Sequence, residues 1–246
     1  MQPKSSYVML SGAMLMLASC ASQSSQETAT SSSAADQSAQ ITTVITQEDQ
    51  SKLSPDAVLA SLKEGNARYV EGKPVSRDLK MQSVASLKGQ FPEAIVLSCI
   101  DSRVPVEYIF DKGVGDLFVG RVAGNVADEY MLGSLEYACG VSGSKVILVL
   151  GHYNCGAVES AIKGVELGNI TSLLKDIKPS VDSTKYDGER TYSNKEFANA
   201  VVAENVRQTI SKIRRDSPIL KKLEDERKIK ICGGVYDLAS GKVEFL

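Results

Sequence analysis

The sequence predicts an α/β fold with a central, mostly parallel β-sheet of four strands plus an antiparallel edge strand, flanked by helices. Three observations predict this class. Short apolar runs recur along the chain, helical stretches separate them, and a hairpin pattern closes the sequence. Near-continuous apolar runs are typical of strands buried on both faces, as in a parallel sheet. Their alternation with helices indicates the α/β class.

The first helix is marked by Ser54-Pro55-Asp56, a capping residue followed by proline in the first turn. The apolar residues that follow recur on one helical face: Val58, Leu59, Leu62 and Tyr69. Gly72 to Pro74 is expected to end this helix, because glycine and proline interrupt helical patterns.

The strands are predicted from four apolar runs, at 94–97, 117–119, 146–150 and 229–232. A helical stretch at 128–140 separates the second run from the third. A helical stripe precedes the fourth run: Val202, Val206, Ile210 and Ile213. Residues 235–245 resemble a hairpin with its turn at Ser240-Gly241, which would add the antiparallel edge strand.

The N-terminal segment has the pattern of a targeting signal. Lys4 precedes an apolar run from Tyr7 to Leu17, which is too short to span a bilayer. Leu17-Ala18-Ser19-Cys20 resembles a bacterial lipobox, in which the cysteine receives lipid. We therefore expect a lipoprotein signal peptide at 1–19 and a membrane anchor through lipid on Cys20.

The expected location is extracytoplasmic and lipid-anchored, on the periplasmic side of the outer membrane if the cell is Gram-negative, because Ala21 rather than aspartate follows Cys20. Residues 20–52 combine this cysteine with a flexible tether rich in Ser, Ala, Gln and Thr. The folded domain is predicted over 53–246.

The composition excludes several kinds of function. Lys and Arg number 28 against 30 Asp and Glu, so the net charge of −2 argues against a nucleic-acid partner. The single histidine, His152, excludes metal sites that need several histidines.

Chemically active side chains follow two of the predicted strands. The first strand leads into Cys99-Ile100-Asp101-Ser102-Arg103, and the third leads into Gly151-His152-Tyr153-Asn154-Cys155-Gly156. Functional groups gather at the carboxyl ends of strands in open α/β sheets. If the two strands are neighbours, Cys99, His152 and Cys155 converge. Two thiolates and an imidazole form a standard zinc set.

Asp101 and Arg103 leave two possibilities open. The carboxylate could take the fourth zinc position and close the site. Alternatively, an ion pair with Arg103 could hold the carboxylate off the metal, where it accepts a hydrogen bond from a zinc-bound water.

These motifs, C-x-D-x-R followed by G-H-x-x-C-G, resemble those of the β-class carbonic anhydrases. The likeness runs from Leu53 to the C-terminus, about 190 residues. Further matching segments lie at 62–66, 115–118, 121–125, 134–137 and 233–237. The resemblance implies zinc-dependent, reversible hydration of carbon dioxide to bicarbonate and a proton. Cys99, His152 and Cys155 would be the ligands, and zinc-bound hydroxide would be assisted by an Asp101–Arg103 dyad.

The resemblance also implies a substrate pocket. Gln90 matches the glutamine that donates a hydrogen bond to substrate. Phe118 and Tyr137 match aromatic positions of the carbon dioxide pocket, and Gly156 is placed beside them at the substrate site. Because the glutamine and the aromatic residues of this family usually reach the zinc across a dimer interface, a homodimer or a tetramer of dimers is implied.

Three further expectations concern single positions. Val96 stands where some family members have a tryptophan of an inhibitory bicarbonate site, so no such regulation is expected. Turnover is expected to depend on external buffer, because His152 would be occupied by zinc. Cys139 and Cys232 are expected to be buried free thiols.

Two alternative functions remain open from the sequence. One is a hydrolase for carbon disulfide or carbonyl sulfide on the same scaffold, which pocket access would distinguish. The other is a non-enzymatic lipoprotein with a closed structural zinc site. Zinc content without hydration activity at any pH would favour the second.

Overall fold

The computed structural model describes residues 40–246. The predicted signal peptide, Cys20 and most of the predicted tether lie outside the described residues.

The described part of the chain contains a five-stranded sheet and nine α-helices. The strands are β1 (Ala94–Ser98), β2 (Leu117–Arg121), β3 (Val146–His152), β4 (Lys230–Tyr236) and β5 (Val243–Phe245). The helices are α1 (Gln47–Lys52), α2 (Pro55–Val70), α3 (Leu79–Ala85), α4 (Val106–Ile109), α5 (Glu129–Glu136), α6 (Gly156–Lys163), α7 (Gly168–Ser183), α8 (Lys195–Asp216) and α9 (Pro218–Asp225). None of the helices in this part of the chain has both the length and the hydropathy needed to cross a membrane.

The strand order is β2-β1-β3-β4-β5, with β5 antiparallel to β4 and every other pair parallel. This confirms the predicted fold class of four parallel strands with one antiparallel edge strand. The hairpin prediction is also confirmed, with Gly234 paired to Phe245 and Tyr236 to Val243.

The sheet is buried on both faces, as the apolar runs predict. Along β1 and β3, Ile95 and Ile147 point into one core cluster, which includes residues of α6, α7 and α8. Val96 and Leu148 point into a second cluster with α2 and α4. The side-chain period of two along a strand produces this division.

Several helices differ from the sequence prediction. The predicted first helix is α2, capped by the Ser54 side chain. The predicted helix at 128–140 is α5, continued by a π-helical turn from Tyr137 to Val141. Helices α3, α4, α6, α7 and α9 were not predicted. Pro179 within α7 is a residue that normally argues against a helix interior.

The folded part begins ahead of the predicted boundary at residue 53. Helix α1 lies within the predicted tether and begins with a capping box between Thr46 and Asp49. Gln50 is buried, and its Nε2 donates to the carbonyls of Pro92 and Ser142, both at 2.8 Å. These long-range hydrogen bonds fix a segment whose polar composition by itself indicates a tether.

The other two cysteines of the described residues are free thiols, as expected, but only Cys139 is buried, whereas Cys232 is partly buried. Cys139 lies in the core cluster that includes α8, and Cys232 packs against the cluster on the opposite face of the sheet. Burial raises the pKa of Cys139 to about 12 and that of Cys232 to about 11. Both are therefore protonated at neutral pH.

The contact between α2 and α4 permits only glycine at position 65. A Cβ at this position would lie 1.9 Å from the carbonyl oxygen of Phe110. We expect Gly65→Ala to lower the free energy of unfolding by about 3 kcal/mol, because backbone blocks the added methyl group. Helix propensity alone would change stability in the opposite direction, by about 0.5–1 kcal/mol.

Urea unfolding monitored by circular dichroism measures this effect. Ala60→Gly, at an exposed position of the same helix, is the control and should cost about 1 kcal/mol. A Gly65→Ala protein as stable as wild type would contradict the close approach of α2 to Phe110.

Candidate active site

Three buried side chains converge at the carboxyl ends of β1 and β3. Cys99 directly follows β1, His152 is the last residue of β3, and Cys155 is the N-cap of α6. Because β1 and β3 are parallel neighbours, both strands end at the same edge of the sheet. The potential ligand atoms lie within 4.8 Å of one another, and the two Sγ atoms are 4.0 Å apart.

His152 and Cys155 reach one point because the chain reverses between them. Asn154 has a φ of 55°, in the left-handed region that asparagine tolerates better than most residues. The backbone N–H of Tyr153 donates to the carbonyl of Tyr236 at 3.0 Å, which ties the turn to β4. The H-x-x-C motif can therefore supply two ligands from a single turn.

The protonation of the histidine ring fits a metal ligand. Nδ1 of His152 lies 3.0 Å from the carbonyl oxygen of Tyr153, which can only accept, so Nδ1 carries the hydrogen. Nε2 is buried and has no hydrogen-bond partner within the described residues. A buried polar atom without a partner carries a free-energy penalty. A metal ion bound through Nε2 removes that penalty.

The donor set selects the kind of metal. Two sulfurs and one imidazole nitrogen suit zinc, and three protein ligands leave one position of a tetrahedral site open. Cys99 and Cys155 share a hydrogen bond, which lowers the pKa of Cys99 to about 4 and raises that of Cys155. Because thiolates are the species that bind a divalent ion, binding through both sulfurs would release thiol protons.

Asp101 lies beside the three ligand side chains and is held by Arg103. Arg103 donates from Nε to Oδ1 at 2.9 Å and from Nη2 to Oδ2 at 2.7 Å, and its backbone N–H also donates to Oδ1. The hydrogen bonds from Arg103 hold the pKa of Asp101 at about 2. Oδ2 lies 3.8 Å from Nε2 of His152. An ionised, oriented carboxylate therefore faces the metal ligands.

Arg121 is a residue of this site to which the sequence analysis assigned no role. Its Nε donates to the carbonyl of Cys99 at 2.9 Å, and its Nη2 donates to the carbonyl of Asp101 at 2.5 Å. It therefore fixes the loop that carries one ligand and the carboxylate. The signal available in the sequence was its place at the start of the matching segment 121–125.

The four predicted substrate residues lie in different places. Gly156 is exposed and adjoins Cys155 at the start of α6. Gln90 is exposed and precedes the start of β1, whereas Cys99 follows the end of that strand. A five-residue strand, about 3.3 Å per residue, separates them. Gln90 therefore does not reach the Cys99 of its own chain.

Phe118 on the edge strand β2 contacts Tyr137 at the end of α5. Their rings meet edge to face, with centroids 6.4 Å apart. Both line a groove of about 910 Å³ between β2 and α5. The residues around this groove include none of the three candidate metal ligands. Within one chain, the aromatic residues and the metal ligands are thus separate.

Comparisons with known proteins identify the family of this chain. The family model described as carbonic anhydrase matches residues 94–243. A carbonic anhydrase of Mycolicibacterium smegmatis is 36% identical over 193 residues, covering 78% of this chain and 93% of the relative.

Two solved structures are also similar. The structure of a Coccomyxa β-carbonic anhydrase in complex with acetazolamide is 27% identical with a TM-score of 0.60, covering 76% of this chain and 86% of that one. One of two crystal structures of tetrameric β-carbonic anhydrases from Sordaria macrospora is 23% identical, with a TM-score of 0.59. The match covers 78% of this chain and 95% of that one.

Proposed function

Since this chain belongs to the β-class carbonic anhydrases, a family of zinc enzymes that interconvert carbon dioxide and bicarbonate, we propose that its catalytic centre is formed by Cys99, His152, Cys155 and the Asp101–Arg103 pair. The observation that carries this assignment is the convergence of two buried sulfurs and an unpartnered Nε2 beside an ionised carboxylate.

Each protein group has a distinct task in the proposed reaction. When bound, zinc supplies Lewis acidity, which lowers the pKa of a coordinated water. Asp101 accepts a hydrogen bond from the attacking water and so directs an oxygen lone pair toward the carbon of the substrate. Arg103 keeps this carboxylate ionised and fixes its direction.

The Arg103 contacts favour the catalytic site over a closed structural site. Both oxygens of Asp101 accept hydrogen bonds from Arg103, so moving the carboxylate onto the metal would weaken a bidentate pair. A metal ion held by Cys99, His152 and Cys155 would then remain accessible to water and substrate.

Stopped-flow hydration of carbon dioxide tests the function directly. The zinc-loaded chain should accelerate hydration, removal of zinc with a chelator should abolish the acceleration, and added zinc should restore it. Carbon disulfide and carbonyl sulfide are assayed in parallel. Full zinc occupancy with no hydration from neutral to alkaline pH would contradict the proposal. Hydrolysis of the sulfur compounds instead would identify the alternative substrate class.

A pair of chains is proposed to complete each substrate pocket. The exposed Gln90 and the groove lined by Phe118 and Tyr137 lie apart from the metal ligands of their own chain. In the proposed dimer, these residues serve the metal centre of the partner chain. A tetramer of such dimers is compatible with this arrangement, and a structural relative is described as tetrameric.

Mixing two inactive variants tests the shared pocket. Gln90→Ala removes the proposed donor to substrate and should lower activity about 10²-fold, as does loss of a comparable hydrogen-bond donor. An equal mixture of Gln90→Ala and Asp101→Asn chains should regain roughly a quarter of the wild-type rate. Half of a statistical mixture is mixed dimers, and one of their two sites is intact.

Native mass spectrometry provides the control by establishing that mixed dimers form. Mixed dimers that remain inactive would show that Gln90 does not act across the interface. Gln208→Ala, on α8, is a control variant for the loss of an amide side chain elsewhere.

We also propose that the chain is exported and attached to a membrane. The proposed signal peptide covers residues 1–19, lipid is attached at Cys20, and the tether ends ahead of Ile41, whose backbone pairs with Ser76 and Asp78. Labelling cells with an alkyne fatty acid tests this, because Cys20→Ala should lose both the label and the membrane fraction. An unlabelled wild-type chain would contradict the anchor.

A further inference from the structure

The turn between β2 and α5 delivers a backbone N–H to one of the metal-site sulfurs. The N–H of Gly124 donates to Sγ of Cys99 at 3.4 Å in a buried contact. Gly124 has a φ of 68°, and a Cβ here would lie 2.5 Å from Cδ1 of Ile177. Only glycine therefore combines this backbone conformation with the close packing of α7.

A buried asparagine on α8 holds this turn from its other side. Asn205 is 2% exposed, and its Nδ2 donates to the carbonyl of Gly124 at 2.8 Å. Its Oδ1 accepts from Oγ of Ser180, which is fully buried on α7, at 3.2 Å. The two partners fix the amide orientation, because a carbonyl only accepts and Nδ2 only donates.

These contacts form one continuous chain of hydrogen bonds from α7 to the metal site. It runs from Ser180 through Asn205 and Gly124 to the sulfur of Cys99. Buried polar side chains are costly unless they are bonded. Three nearby buried positions of α8, Val201, Val202 and Val206, are apolar and lie in the core. Asn205 thus places a polar side chain beside these apolar residues, where it forms a hydrogen bond to the Gly124 turn.

We propose that Asn205 is a positioning residue of the metal centre, which acts through Gly124 to hold an N–H against the Cys99 sulfur and so limits the charge that this ligand donates. The proposal rests on the assignment of Cys99 as a ligand in the proposed function.

The expected chemical effect follows from the hydrogen bond to sulfur. An N–H donor withdraws electron density from a thiolate, and such supporting contacts tune a metal site. A sulfur that donates less charge leaves the bound ion a stronger Lewis acid. This matters in a site with two thiolates, because their combined charge offsets that of a divalent ion.

Cobalt substitution of the full chain measures this effect without an activity assay. Asn205→Leu removes the contact to Gly124, and Ser180→Ala removes only the outer hydrogen bond. Thr209→Val, which alters another buried polar residue of α8, is the matched control. With Co²⁺ alone as the probe, the sulfur-to-cobalt charge-transfer band should move to longer wavelength in Asn205→Leu. It should move less, in the same direction, in Ser180→Ala.

Zinc affinity provides the second measurement. Asn205→Leu should raise the zinc Kd about 10-fold, because loss of the positioned Gly124 turn that supports the ligand outweighs the stronger charge donation of a sulfur without its N–H donor. Thr209→Val should leave the zinc Kd unchanged. A band position and a zinc Kd that match those of Thr209→Val would overturn the proposal. If Asn205→Leu does not fold, an unshifted band in Ser180→Ala would overturn it.

These readouts also separate the two proposals. A shifted band in a chain without hydration activity would retain the role of Asn205 and reject the proposed function. Normal hydration with unshifted bands would do the reverse.

Discussion

Replacement of Asp101 by asparagine is expected to lower kcat/KM for carbon dioxide hydration about 10²–10⁴-fold while zinc remains bound. This is the range for a positioned group that accepts a proton or a hydrogen bond in the transition state. Asparagine has nearly the same size as aspartate but lacks its charge. Its amide nitrogen also cannot accept from Arg103, which donates to both oxygens in the wild type.

The measurement combines stopped-flow kinetics with the zinc content per chain. Asp182→Asn is the control, because Asp182 is an exposed carboxylate on α7 that pairs with Lys178 one turn away. It should retain wild-type activity. If Asp101→Asn kept full activity, or lost its activity only together with zinc, the carboxylate would not have the role assigned to it.

Replacement of Cys99 by serine should remove the metal and with it all measurable acceleration. A serine hydroxyl is not ionised near neutral pH, whereas hydrogen bonding lowers the pKa of the Cys99 thiol to about 4. Zinc affinity should fall by more than about 100-fold, beyond the range for residues that only support a ligand. Zinc analysis of the purified chain and the hydration assay measure the two effects.

Cys232→Ser is the matched control for this variant. Cys232 also lies at the sheet, but burial raises its pKa to about 11, so it remains a thiol at neutral pH. This variant should keep zinc and activity. A Cys99→Ser chain with one zinc ion and normal hydration would exclude Cys99 from the ligand set.

The sheet and the candidate ligands could be predicted because strong local patterns coincide with them. The apolar runs match β1 and β3 closely, and Cys99 and His152 lie where these two runs end. The fourth run covers only the first part of β4. In a parallel sheet, neighbouring strands place such residues at one edge. The candidate metal ligands could therefore be predicted from the order of the apolar runs and the residues that follow them.

Features that depend on long-range contacts could not be predicted in this way. The boundary at residue 53 was too late because Gln50 is fixed by carbonyls more than 40 residues away in the chain. The Tyr153 carbonyl binds Nδ1 of His152 and so determines that Nε2 is the ring nitrogen available to a metal. The side chains of Arg121 and Asn205 donate to backbone carbonyls. Every residue has a backbone carbonyl, so no sequence motif identifies these partners.

Gln90 and Cys99 lie beyond opposite ends of the same short strand. This separation makes the activity of the proposed enzyme depend on protein concentration. If each pocket needs two chains, the law of mass action makes the specific rate fall when the protein is diluted below the dissociation constant of the pair. Confinement to a membrane surface would counteract dilution by raising the effective concentration of the chains. The proposed lipid on Cys20 would then preserve activity as well as determine location.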